Sequence, residues 1–224
     1  LVFDGTPYRN VVCLAHIVDQ DGQKMSKSKG NVIDPWDVFN TFGSDALRWY
    51  FFSAGSPWTS RRVYTDGIRE STRKTLLTLW NVFSFFATYA DLDDWEPGDY
   101  ATNHVMDMWI LSQLRGTITR VTEDLEAFDA LGAATAIASF VDDMSNWYVR
   151  RSRPRFWGGP DQLTDGGAHA VLYRCLVVTS QLLAPLCPFL ADEMYRTLTR
   201  APSVHLSDWP KVVGPPDPAL TAEM

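Results

Sequence analysis

A chain of 224 residues makes one large domain, or one domain with an appendage. Hydrophobic residues at 46% and charged residues at 21% are globular proportions and exclude intrinsic disorder. A net charge of −7 argues against a protein that coats nucleic acid indiscriminately, yet leaves room for a local basic face. No apolar run of about 18 residues marks a membrane-spanning helix. Cys13, Cys175 and Cys187 form no CxxC pair and have no His at ligand spacing, which favours a reducing, cytoplasmic setting and no metal site. The opening LVFDGTPYRN lacks the basic and apolar regions of a signal peptide and an initiator Met, as expected of a piece of a longer chain.

Residues 11–18 (Val-Val-Cys-Leu-Ala-His-Ile-Val) are a β-favouring run closed by the turn pair Asp21-Gly22, and predict a fully buried strand. The polar stretch that follows, to Gly30-Asn31, predicts a loop. Asp34 is an N-cap with Pro35 at the first helical position, and Ser44-Asp45 marks a second helix start. From Asp66, a helical face carries Ile68, Thr72, Leu76, Leu79, Trp80, Phe83 and Phe86. The acidic stretch Asp91, Asp93, Asp94, Glu96 and Asp99 reads as an exposed linker. A helix beginning near Thr102 places Leu111, Leu114, Ile118, Val121, Leu125 and Phe128 along a bundle seam. Asp129 caps the next, whose Ile137, Val141, Met144 and Tyr148 lead to Pro154, and Gly158-Gly159-Pro160 breaks the chain. Another helix, with Leu172, Cys175, Leu176, Thr179 and Leu183 inward, stops at Pro185. Pro188 restarts a short helix through Thr199, and the Pro-rich tail is irregular. The expected fold is mainly α: an antiparallel helical bundle over 44–224, preceded by a strand-and-loop segment over 1–43.

The chemistry concentrates in Asp21-Gly22-Gln23-Lys24-Met25-Ser26-Lys27-Ser28-Lys29-Gly30-Asn31. Lysine ammonium groups are mobile point charges suited to phosphate oxygens, and the serine hydroxyls and loop amides add hydrogen bonds. Gly30 permits a positive φ that folds the loop over a polyanion. No GxxxxGK[ST] loop is present. Residue types alone leave a plain solvated basic loop open as the other reading. A second candidate is Trp147-Tyr148-Val149-Arg150-Arg151-Ser152-Arg153-Pro154-Arg155-Phe156-Trp157. Guanidinium groups among aromatic rings suit single-stranded RNA, with charge for phosphate and planes for base stacking. The competing reading is a helix end whose arginines satisfy carbonyls and pair with acids such as Asp142 and Asp143. Arg61, Arg62, Arg69, Arg73 and Lys74 form another basic cluster, read as a solvated face.

Lys24-Met25-Ser26-Lys27-Ser28 is the KMSKS signature of the class I aminoacyl-tRNA synthetases. Its flanks resemble the Ile/Val/Leu/Met subgroup, and five further blocks resemble the isoleucyl branch. These are Gly43 to Tyr50, Gly67 to Phe86, Met106 to Ser112, Asn146 to Arg153, and Ser203 to Pro210. The resemblance implies that Lys27 stabilises charge on departing pyrophosphate during adenylate formation. Lys24, Met25, Ser26 and Ser28 would serve the ATP phosphates, and the bundle would bind the tRNA anticodon region. For the tRNA contacts it offers Trp147, Arg150, Arg151, Arg153 and Arg155. ATP with Mg is then a substrate, no cofactor is held by these residues, and tRNA for isoleucine and L-isoleucine are the partners of an expected monomer. His16, His104, His169 and His205 form no HIGH-like motif and read as core or surface histidines. The chain alone is therefore expected not to activate an amino acid, and its first segment, from Leu1 to Val18, to leave an apolar patch. A valyl, leucyl or methionyl enzyme, or a non-catalytic helical scaffold binding RNA or protein, remain the alternatives.

Overall fold

The Asp34 carboxylate accepts a hydrogen bond from the Trp36 amide at 2.9 Å, with Pro35 in the first turn. That cap starts helix α1 (Pro35–Phe42) in the computed structural model, which describes residues 5–98, 100, 102–157, 166–212 and 214. Gly43, at φ +82°, turns the chain into α2 (Ser44–Ser53). A two-stranded parallel sheet sits beside these helices, with β1 (Ile17–Val18) facing β2 (Arg61–Arg62) in the register Ile17 to Arg61. The Tyr50 hydroxyl donates to the Arg62 carbonyl at 2.7 Å, pinning α2 to β2. Val38, Ala46, Tyr50, Val63 and Ile68 form a small core here, against which Met25 and Ile33 pack.

Helix α3 (Thr65–Thr72) continues through a π-helical segment, Arg73–Leu77, into α4 (Thr78–Leu92). Next come α5 (Val105–Glu126) and α6 (Ala130–Asp142), then a second π segment (Asp143–Val149) that leads into α7 (Arg150–Phe156). Helices α8 (Gly166–Leu183) and α9 (Pro188–Thr199) complete the bundle, and a short 3₁₀ turn, Val204–Leu206, lies in the tail. The main core draws Leu79, Ile110, Leu114, Ile137, Met144, Tyr148, Leu172 and Leu176 from five of these elements. Each large apolar side chain so buried contributes about 1.5–3 kcal/mol before chain entropy is counted. The α5–α6 turn is tight: Asp129 accepts from the Gly132 amide at 2.9 Å, and its own amide donates to the Asp124 carbonyl at 2.7 Å. A Cβ on Gly132 would lie 2.6 Å from an Asp124 oxygen, so glycine lets the two helices close.

Several expectations are corrected. The run 11–18 yields a strand of two residues, and Val11, Val12, Leu14 and Ile17 are exposed. The strand pairs with the two residues of β2, Val18 also bridges Lys24, and Val12, Leu14 and Ile17 line an open groove with Phe51, Phe52, Phe128 and Leu131. The apolar patch expected of this segment is thus found in residues 11–17, while residues 1–4 lie outside those described. Phe128 leaves the α5 seam: it is exposed and adopts φ +60°, supplying the left-handed turn for which glycine is the usual choice. Trp80 is also largely outside the core face, and α5 starts at Val105 rather than near Thr102.

Helix α7 runs through Pro154 to Phe156. Phe156, packed in the main core, and the Arg155–Asp107 ion pair hold this turn in place against the roughly 3 kcal/mol penalty of an internal proline. The Gly158-Gly159-Pro160 break and Asp99 lie outside the described residues. The acidic stretch is more than an exposed linker, because Trp95 stacks on the buried His169 ring and Asp93 approaches His169 Nε2 at 3.3 Å. No helix among the described residues is long and apolar enough to cross a membrane.

Candidate functional site

Asp19 organises the lysine loop. Its Oδ1 accepts from the amides of Asp21 (3.1 Å) and Gln23 (2.7 Å), and its Oδ2 accepts from Asn31 Nδ2 at 2.7 Å. Asn31 then ties the loop across its base, accepting from the Ser26 amide at 2.9 Å and donating to the Lys24 carbonyl at 3.3 Å. The Asn31 hydrogen bond, followed by the Gln23 amide, holds the Asp19 carboxyl below its ordinary range. Inside this frame Lys27–Lys29 form one 3₁₀ turn, closed by Gly30 at φ +66° with its amide donating to the Lys27 carbonyl at 3.2 Å. The positive φ expected at Gly30 is therefore present. The hydroxyls of Ser26 and Ser28 lie 3.3 Å apart.

Lys24, Lys27 and Lys29 are exposed, and none is in an ion pair among the described residues. Their donors are therefore available to an anion. Met25 differs from its neighbours: its side chain packs against the small core of α1, α2 and α3. In this structure it anchors the loop rather than presenting a polar group. Asp19 lies outside the stretch that the sequence singles out, and Asn31 only closes that stretch with no role of its own, because their roles depend on a pairing twelve residues apart.

The arginine block splits into two roles. Arg155 is mostly buried and grips the fully buried Asp107 with both terminal nitrogens, at 2.6 and 2.7 Å. Asp107 also accepts from the Tyr148 hydroxyl at 2.8 Å and from the Thr102 hydroxyl. Burial pushes the Asp107 carboxyl up, and hydrogen bonds from Arg155, Thr102 and Tyr148 outweigh that, so it lies below the ordinary aspartate range. Arg155, expected among the RNA contacts, is thus committed to a bond inside the bundle. Arg150, Arg151 and Arg153 are exposed. The Arg151 guanidinium lies 4.5 Å from the centre of the Trp147 ring, and Arg153 lies 5.9 Å from that of Trp157. Trp147 and Trp157 are themselves partly exposed. Asp142 accepts from Asn146 at 2.6 Å, and the competing reading of arginines paired with acids holds at Arg155, with Asp107 as the acid.

In the other basic cluster Arg62, Arg69, Arg73 and Lys74 are exposed as a solvated face, and Arg61 departs from it. Arg69 pairs with Asp66, and Arg73 and Lys74 both pair with Glu70. Arg61 turns inward onto the carbonyls of Phe51 and Gly55. Of the histidines, His104 caps α5 by accepting from the Met106 amide, His169 is core, and His16 and His205 are exposed. No group of three or more His, Cys, Asp or Glu is arranged to hold a metal ion among the described residues.

The family model described as tRNA synthetases class I (I, L, M and V) matches residues 2–61, and that of the anticodon-binding domain of tRNA ligase matches residues 107–224. The isoleucine–tRNA ligase of Thermus thermophilus is 46% identical over 100% of this chain and 22% of its own length. That of Deinococcus radiodurans is 47% identical over 100% of this chain and 21% of its own length. That of Thermobifida fusca is 45% identical, with 100% and 22% covered. The chain therefore spans about a fifth of the length of the curated relatives it matches. Among solved structures, an Agrobacterium radiobacter K84 LeuRS in ternary complex with tRNA and LeuAMS superposes with a TM-score of 0.69 at 23% identity, covering 89% of this chain and 23% of that one. Methionyl-tRNA synthetase of Mycobacterium tuberculosis with methionyl-adenylate gives 0.69 at 21% identity, covering 82% and 37%. At these identities the two structures establish the fold alone.

Proposed function

Because the chain belongs to the class I tRNA synthetases with this anticodon-binding domain, on the isoleucine–tRNA ligase branch, we propose that it is the part of such a ligase that joins the ATP-phosphate loop to the tRNA-holding bundle. The observation that carries the reading is the pairing, in one chain, of a framed loop with exposed lysines and a face of exposed arginines beside tryptophans. The division of labour falls at residues 43 and 44, although α2 packs into both cores through Tyr50 and Trp49.

In adenylate formation the amino-acid carboxylate attacks the α-phosphate of ATP, and negative charge accumulates on the departing pyrophosphate. A lysine whose contact strengthens as that charge develops lowers the barrier, whereas one that binds ground state and transition state equally does not. Lys27, at the start of the 3₁₀ turn, takes that part. Lys24, Ser26 and Ser28 bind the phosphates of Mg-bound ATP, with Met25 holding the loop to its support. Trp147, Arg150, Arg151 and Arg153 serve the tRNA for isoleucine. L-isoleucine meets the whole ligase away from this chain, and the ligase works as a cytoplasmic monomer. In a ligase carrying this chain, Lys27→Ala should slow pyrophosphate exchange by about two orders of magnitude while leaving isoleucine affinity nearly unchanged. An unchanged kcat would remove Lys27 from this role.

A further inference from the structure

Helix α2 carries two polar side chains that leave their own helix and bind the turn between α8 and α9. The Asp45 carboxylate does not cap α2: its Oδ2 accepts from the Leu190 amide at 2.7 Å, in the first turn of α9. Cys187, in the capping position of α9, supplies no side-chain bond to that turn, so Asp45 does the capping from 145 residues away. Three residues along α2, Arg48 donates from Nε to the Leu186 carbonyl and from Nη2 to the Pro185 carbonyl, both at 2.9 Å. Its guanidinium also lies 5.7 Å from the centre of the Phe52 ring. The Cys187 thiol donates to the Asp45 carbonyl at 3.7 Å. One helix thus satisfies both an amide and two carbonyls of a single turn. The same helix holds the lysine loop at its other side, since Ala46 and Tyr50 belong to the small core on which Met25 rests.

We infer that Asp45 and Arg48 are positioning residues that clamp α2 to the α8–α9 turn, fixing the lysine loop relative to the RNA face of the bundle. The inference rests on the function proposed above. A whole tRNA must meet the bundle and the reacting centre at once, so the span between the two must be right. An isolated anticodon stem-loop meets the bundle alone and is indifferent to that span. Arg48 suits the task because its fork reaches two carbonyls together, which a lysine ammonium on a flexible stem does not reproduce.

The test uses Arg48→Ala, Arg48→Lys and Asp45→Asn in an isoleucine–tRNA ligase carrying this chain, with thermal melting of each. Arg48→Ala should raise KM for tRNA in aminoacylation by about tenfold, within the usual range of coupling between sites. Arg48→Lys and Asp45→Asn should fall between it and the unsubstituted enzyme. Tm, pyrophosphate exchange without tRNA, and anticodon stem-loop affinity should stay within about twofold or a few degrees. A fall of exchange, tRNA kinetics and Tm together would make the contacts merely structural and overturn the inference. Unchanged KM for tRNA in all three variants would overturn it as well. Stem-loop binding by the unsubstituted chain is read first: its absence defeats the proposed function and the clamp with it, whereas its presence beside an unchanged KM defeats the clamp alone.

Discussion

The lysines of residues 24–29 and the arginines of α7 carry the same charge on opposite kinds of support. The lysines stand on a loop stiffened by a polar Asp19–Asn31 frame and an apolar anchor at Met25. Their ammonium groups are exposed. The arginines stand on a helix whose inner face is bolted to Asp107, and the guanidinium groups of Arg151 and Arg153 lie over tryptophan rings. The first arrangement leaves mobile charge that can follow phosphates as a reaction proceeds. The second presents charge and ring at fixed spacing, as recognition of stacked bases requires. The loop should thus be cheap to perturb in stability and costly in rate, whereas the helix should be costly in stability at its buried Arg155 and costly in RNA binding at its exposed arginines.

The largest stability effect should come from Arg155→Ala, which leaves the fully buried Asp107 carboxylate without its cation. Breaking such a pair costs about 3–5 kcal/mol, readable as a shift of the urea midpoint. A loss below about 1 kcal/mol would mean the pair behaves like a surface bridge and the helix support is misjudged.

A pH dependence sharpens the same point. The native Asp107 carboxyl titrates below the ordinary value of about 3.9. Its stabilisation is complete above that value and is lost as pH falls through the depressed native pKa, since there the unfolded chain binds more protons. Asp45 and Asp143 act in the opposite sense: burial raises both, so their share is greatest in acid and is lost as pH rises through their native values. Asp107→Asn should therefore show its largest stability deficit near neutrality and a shrinking one below about pH 3.9. A deficit independent of pH would rule out titration of this carboxyl as the cause.

Asn31→Ala is expected to have the smallest effect on folding, about 1 kcal/mol for exposed or half-exposed hydrogen bonds. It should nevertheless slow pyrophosphate exchange more than it lowers Tm would suggest, because the 3₁₀ turn bearing Lys27 loses its base. Full exchange activity in this variant would show that the lysines need no frame.

What the sequence made legible follows the range of the interactions. Asp34-Pro35 and Asp129 mark helix starts where they are expected, because each cap acts within three residues of itself, and Pro188 marks a third through its own fixed φ in the first turn. The KMSKS loop was legible as a string of residue types, and its left-handed exit at Gly30 followed from glycine alone. Arg155 could not be separated from Arg151 in the sequence, because its partner Asp107 is 48 residues away. The exposed run Val11–Ile17 misled for a related reason: a near-continuous apolar run reports a tendency to form a strand, and burial depends on what lies across that strand. The left-handed Phe128 carried no signal, because tertiary closure of α5 onto α6 imposes it.

The most direct test of the two-support account is the affinity of an anticodon stem-loop for the chain across a salt series, comparing the unsubstituted protein with Arg150→Ala, Arg151→Ala and Arg153→Ala. The account predicts weaker binding in at least the Arg151 variant, with a salt slope reduced by about one for each phosphate contact removed, and unchanged Tm throughout. Equal affinity and equal slope for all four proteins would contradict it and place the RNA face elsewhere on the bundle.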